Sequence, residues 1–226
     1  MKFSRIIVVF FICLFLFTSC KSKIIPLSKT YYDNTNKVGV LFIADSIRAE
    51  IIGDQSLLEM ALTGTKRFRA PLELVDKTIN PISDIKNIYF NTYQEKGKPI
   101  KKIDYEFNTE DLVEFEKPKK SKKQYFNYDL RFLQSKDIDE LLIVTIEYGL
   151  LVNYDGIFEE EKLGNCRIES KIINLKDNSI LYNNFTVFNV EVIGNWKTPP
   201  NYPNLKHAIQ LAIKQAIEEE KRKFNN

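Results

Sequence analysis

Histidine is almost missing from this sequence: His207 is the only one in 226 residues. It falls on the polar side of the last helical stretch, beside Lys206, Gln210 and Lys214. A single imidazole in that position excludes a Ser-His or Cys-His pair unless the polar face lines a cleft. Cysteine is nearly as scarce, with only Cys13, Cys20 and Cys166. Neither a disulfide framework nor a zinc site with ordinary ligand spacing can be assembled from these. Phosphate-cradling glycine turns are also absent. No G-x-G-x-x-G or G-x-x-x-x-G-K follows the first apolar strand, VGVLFIA, so no nucleotide cofactor is expected there. The unbroken apolar run Ile6–Phe17 is 12 residues, short of a membrane span.

That run does have a use. Lys2 and Arg5 precede it and Phe17-Thr18-Ser19-Cys20 follow it, the layout of a secretory signal covering residues 1–19. The four closing residues resemble a bacterial lipobox, in which a small residue precedes the cysteine that receives lipid; Phe17 stands where that motif usually has Leu. The resemblance implies lipidation of Cys20, and the competing reading is an ordinary signal cut near Ser19. Each buried acyl methylene contributes about 0.8 kcal/mol, so a multiply acylated Cys20 would anchor the chain to a membrane stably. Lys21 occupies the place where an Asp retains enteric lipoproteins in the inner membrane. By that analogy the expected address is the outer membrane, facing the periplasm, with the inner membrane and the cell surface left open.

The mature chain would have 226 − 19 = 207 residues, enough to bury roughly 70% of its unfolded surface and to be stable without disulfides. Removing Lys2 and Arg5 takes the net charge from +3 to +1, so no global field points to nucleic acid. Residues 20–37 are polar and aperiodic and read as a flexible tether, with Tyr31 and Tyr32 able to dock. Residues 38–226 read as one domain. Val38–Ala44 suits a strand buried on both faces, and residues 46–52 are ambiguous. A short helix is expected over 55–63, with Leu57, Leu58, Ala61 and Leu62 at helical spacing. A loop around a short extended piece at 72–75 should follow. Asn80 and Pro81 open a helix with the stripe Ile82, Ile85, Ile88, Tyr89 and Tyr93, and Gly97 closes it. Residues 99–107 read as the second strand and 128–135 as a short helix.

The strongest strand signal is Asp139–Tyr154, DELLIVTIEYGLLVNY. Leu142, Val144, Ile146, Tyr148, Leu150 and Val152 line one side, whereas the other is apolar only at Leu141 and Ile143 before turning polar at Thr145 and Glu147. A centre-of-sheet strand covered unevenly is implied. Residues 155–164 read as an exposed hairpin link, 166–175 and 180–191 as strands, and 204 onward as a closing helix. The expected fold class is α/β: a mixed five-stranded sheet in the order β-α-α-β-α-β-β-β-α, with an antiparallel C-terminal meander and helices packed on it.

DIDELLIVTIEYG and ESKIINLKDNSILYNN repeat an idiom of polar-apolar strand, Asp-containing turn and Ile-Leu-Tyr. With the element order, this is similar to small α/β periplasmic lipoprotein domains. That group includes the curli-secretion lipoprotein, the activators of penicillin-binding proteins, and the N-terminal domain of the Tol-system propeller protein. The resemblance implies a non-enzymatic binding or assembly component with an envelope protein partner, and it allows a homo-oligomer. An envelope hydrolase and a secretion-pore subunit are the alternative readings.

Candidate contacts are few. Trp196, Asn195 and Tyr202 lie in a proline-stiffened loop, Gly194–Pro203, suited to present an aromatic anchor to a partner; the alternative is that Trp196 packs over the end of the sheet. Lys117, Lys119, Lys120, Lys122 and Lys123 form a basic run that could touch anionic headgroups, and otherwise reads as a mobile solvated loop. Cys166 is expected to be buried and inert, and Glu147, mid-strand, to sit at an edge of the core or to pair with a Lys. Neither a metal nor a catalytic residue is assigned.

Overall fold

The computed structural model describes residues 23–53, 55–105 and 111–225. The signal, Cys20 and the end of the expected second strand at Phe107 lie outside them. The sheet is mixed, and its strand order is β3-β1-β4-β5-β6. The strands are β1 (Val38–Ala44), β2 (Arg48–Ile52), β3 (Ile100–Lys102), β4 (Glu140–Asp155), β5 (Phe158–Asn174) and β6 (Ser179–Glu191). The helices are α1 (Leu57–Thr63), α2 (Lys66–Asp76), α3 (Pro81–Glu95) and α4 (Pro203–Asn225). β1 runs parallel to both β3 and β4, while β4, β5 and β6 form the antiparallel meander. The expected α/β class and meander are therefore present, with one strand more than expected. That sixth strand is β2, in the ambiguous stretch, and it continues β1 along the same edge of β4, from Gly149 to Asn153.

Helix α3 follows its local signals. Asn80 Oδ1 accepts the Ser83 amide at 3.2 Å, Pro81 opens the helix, and Gly97 leaves it at φ 68°. Helix α2 corrects the loop expected over 64–79. Pro71 sits inside it, and a helix-interior proline costs about 3 kcal/mol. Phe68, Leu72 and Val75 are nevertheless all buried. At about 1.5–3 kcal/mol each, their burial outweighs the proline. The hairpin link is also corrected. The β4–β5 turn is tight, with Gly156 at φ 58°, and Glu159 pairs with Arg67 and Lys162 rather than sitting in a loop. On α1, Leu58 and Leu62 face solvent.

One sheet face is covered by α2, α3 and α4. Their apolar residues pack on Val40, Leu142, Val144, Ile146, Leu150 and Ile168. Close approach of α4 depends on Gly164, because a Cβ there would lie 2.4 Å from the Ala208 backbone. Within this layer Glu220 is fully buried. Its carboxylate accepts from Tyr89 and Ser170 hydroxyls at 2.8 and 2.6 Å and from Asn184 Nδ2 at 2.9 Å. The other face is covered only near the start of β4, where Leu130, Leu133 and Ile138 pack on Leu41, Leu141, Ile143 and Ile173. Asn178, left-handed in the β5–β6 turn, pins this cover. Its Oδ1 accepts the Leu130 amide, and its Nδ2 donates to the Phe126 and Tyr128 carbonyls.

From Lys23 onward the expected flexible tether is a docked strap. Ile25 exchanges backbone hydrogen bonds with Asn183 on the outer edge of β6, at 2.8 and 3.0 Å. The strap then crosses the helical face and enters β1. Its anchor is an ion pair between Lys98 and Glu140, whose side chains are 0% and 1% exposed and 3.4 Å apart. Tyr31 donates to Glu140 Oε2 at 2.7 Å and accepts from Tyr93 at 2.8 Å. Asn36 donates to Glu140 Oε1 at 2.7 Å, and Lys98 Nζ reaches Asn34 Oδ1 at 2.5 Å and the Tyr31 carbonyl at 3.2 Å. Burial, with Tyr93 and Glu140 alongside, pushes the Tyr31 phenol far above its ordinary pKa. Polar composition concealed the strap because its polar groups bind the buried pair instead of water.

Two stability predictions follow from this packing. Glu140→Ala, which leaves a buried ammonium unpaired, lowers unfolding stability by about 3–5 kcal/mol. The double variant Lys98→Met with Glu140→Gln loses less, as read by urea denaturation. Gly164→Val costs about 1–3 kcal/mol by forcing α4 off β5, read in the same assay.

Candidate binding surface

Among the described residues, the remainder of the second sheet face is left uncovered. Beyond Ile143 the outward-facing side chains of β4 meet those of β5 in register: Thr145 with Glu169, Glu147 with Arg167, Leu151 with Leu163. Across β5 the rows continue to Phe185 and Val187 of β6, which are 36% and 45% exposed. β2 adds Arg48, Glu50 and Ile52 opposite Gly149, Leu151 and Asn153. Gly149 lets β2 pair there, since a Cβ would fall 1.9 Å from the Arg48 carbonyl oxygen.

Two recesses mark this surface. One, of about 190 Å³, is apolar and lies under the edge of the cover, lined by Ile43, Leu112, Phe126, Tyr128 and Ile143. The other, of about 240 Å³, is lined by Arg48, Glu50, Glu147, Asn165, Arg167 and Val187. Arg48, Glu50 and Glu147 are paired there. Arg48 bonds Glu50 at 2.7 Å and stands 3.9 Å from Glu147, and next along the face Lys171 bonds Glu169 at 2.5 Å. Apolar rows bracketed by neutralised charges are suited to protein contact, where apolar area contributes affinity and the charges set register.

The sequence-assigned residues fall elsewhere. Of the two readings of Trp196, the packed one holds and the exposed anchor does not: it is a core residue, 8% exposed, with its ring 4.8 Å from that of Phe68. Its area is larger than any other side chain's in that loop, and α2 supplies a nearby apolar face to bury it. Asn195 is exposed, and its groups hold the loop together. Its Oδ1 accepts the Lys197 amide, and its carbonyl accepts from Thr198 and Asn204. Tyr202 is half-buried against the core with φ 45°. The five lysines are all exposed, but their flanks are ordered. Glu114 bridges Tyr128, Phe115 stacks on Tyr125, and Tyr125 bridges Ser179 of β6. Lys117–Lys123 is the tip of a hydrogen-bonded arm, which corrects the mobile-loop reading.

His207 is exposed on α4. Among the described residues no group of three or more His, Cys, Asp or Glu side chains converges as a metal site would require, and no helix is long and apolar enough to cross a membrane. Glu147 is charge-paired as expected, with an arginine as its partner. Cys166 lies fully inside, and burial pushes its thiol up to about 12.

The open face could be sensed in the sequence from Thr145 and Glu147 alone. Strand register, which brings Arg167, Phe185 and Val187 beside them, was missing.

No family model matches the chain, and no curated protein matches it. Solved structures do. A DUF330-family protein from Xanthomonas campestris is 7% identical, with 87% of each chain covered and a TM-score of 0.33. A PelC dodecamer from Paraburkholderia phytofirmans is 8% identical, over 80% of this chain and 88% of that one, at 0.25. The lipoprotein GNA1162 of Neisseria meningitidis is 13% identical, over 79% and 96%, at 0.27. At these scores the likenesses carry no argument about what this chain does.

Because only the thiolate attacks alkylating agents, Cys166 should resist iodoacetamide at pH 8 in the native protein and be labelled promptly once the chain is unfolded in urea. Rapid native labelling, followed by mass spectrometry, would contradict its place in the core.

Proposed function

We propose that the protein is an envelope lipoprotein, anchored through lipid on Cys20 in the outer membrane and facing the periplasm, that acts as a non-enzymatic binding or assembly component. The observation that carries this reading is the half-covered sheet. One face is closed by three helices, while the second half of the other is left open with Ile52, Phe185 and Val187 exposed. An open apolar face rimmed by charges is a usual mark of a recognition surface. The lipobox-like Thr18-Ser19-Cys20 supports the address, and the paired carboxylates around Glu147 favour contact over proton transfer. The occupant proposed is an envelope protein, with a second copy of this chain as the homo-oligomeric case.

Cys20→Ser should move the protein from the membrane fraction to the soluble fraction; unchanged fractionation would remove the anchor from the proposal. A photo-crosslinking residue at Val187 should capture a discrete partner in intact cells, whereas one at Glu218, on the outer side of α4, should not. Adducts of equal yield from both positions, or turnover of an envelope substrate by the purified domain, would count against a binding role for this face.

A further inference from the structure

The strap and the basic arm meet the same edge of β6. Ile25 pairs with Asn183, and Asn183 Nδ2 also donates to the Lys23 carbonyl at 2.8 Å. The arm joins four residues away: Tyr125 bridges Ser179, and the Ile180 amide donates to the Gln124 carbonyl at 2.9 Å. Four strand residues span about 13 Å. Cys20 is three residues from Lys23, so its Cα lies within about 11 Å of the docked strap however the intervening chain runs. A lipid on Cys20 therefore leaves the domain no room to stand off the membrane, and this edge of β6 is the part of the domain nearest the bilayer.

The charge at this edge is concentrated. Lys117, Lys119, Lys120, Lys122 and Lys123 project from the arm, and Lys176 on the β5–β6 turn and Lys23 on the strap are exposed beside it. Asp177 is bound to Lys123 at 2.8 Å, which leaves the other lysines of the patch in excess over Glu116. The mature chain totals +1, and these seven lysines against Glu116 and Asp177 make +5, so the rest of it carries 1 − 5 = −4. Beside Lys23, Ile24 is 53% exposed.

We infer that the lysine arm docks on the phosphate headgroups of the phospholipid leaflet that holds the Cys20 lipid, so that the domain stands on the corner of the sheet formed by the β5–β6 turn and the start of β6. The inference rests on the reading of Cys20 as the anchor. A multiply acylated Cys20 already holds the chain at the membrane, and several lysines near an anionic surface add to that affinity. Here the patch also fixes orientation. The β4–β5 turn, carrying exposed Ile157 and Phe158, lies at the opposite end of the sheet from the arm, so it points into the periplasm together with the far part of the open face.

The test uses the mature chain from residue 20 with Cys20→Ser, so that lipid does not mask the electrostatic contact. In flotation assays it should bind phosphatidylcholine vesicles containing phosphatidylglycerol at low salt, release at high salt, and ignore pure phosphatidylcholine. Replacing the five lysines by Gln should weaken binding by about tenfold or more without changing the melting temperature. Replacing Lys206, Lys214 and Lys221 of α4 by Gln should leave it unchanged. Equal binding to both vesicle types, no effect of the arm substitutions, or an equal effect of the α4 substitutions would overturn the inference. Failure of the anchor itself is read separately, by the fractionation of Cys20→Ser in cells.

Discussion

The contact on which the arrangement depends is the buried ion pair between Lys98 and Glu140. Neither side chain reaches solvent, and a charge held inside a protein is tolerated only when its remaining bonding capacity is filled. The groups that fill it come mostly from the strap: the Tyr31 hydroxyl and carbonyl, Asn34 and Asn36. Removing the strap would therefore expose or orphan both charges. Glu140 is the first residue of β4, and Lys98 lies between α3 and β3. The strap, the helical layer and the start of the central strand are thus tied at one point.

From there β4 sets the rest. It is long enough for β1 and β2 to share one of its edges in succession while β5 runs the length of the other. Beyond Glu140 its helical side is apolar from Leu142 to Val152, and three helices close it. Its second side is apolar only over the first few residues, and the cover ends where Thr145 begins the polar set. The same strand thereby explains a closed core and an open face. The docked strap adds a direction under the proposed anchoring at Cys20, which would bring the corner of the sheet near Lys23 to the membrane and leave the β4–β5 turn far from it.

Much of this was legible in residue order. The capping of α3 by Asn80 and Pro81, the uneven burial of Asp139–Tyr154 and the interior place of Cys166 all follow from local chemistry. What escaped was set by partners distant in sequence. Pro71 obscures α2, whose apolar residues are buried only because the sheet is present. Tyr31, Asn34 and Asn36 read as a solvated tether until Glu140, more than a hundred residues away, is placed beside them. Trp196 invites a binding role until Phe68 is found stacked against it. The open face needs Glu147, Arg167 and Val187 to be neighbours, which depends on two strand registers that no local signal specifies.

The central claim is that residues 23–37 are part of the folded domain. Amide hydrogen exchange measures this directly, because the Ile25, Asn183 and Val38 amides each have a backbone acceptor and exchange only when the contact opens. Protection at Ile25 and across Tyr31–Asp33, lost together in the Glu140→Ala variant, is the expected result. Exchange of residues 23–37 at the rate of an unstructured peptide, with the sheet still protected, would contradict it.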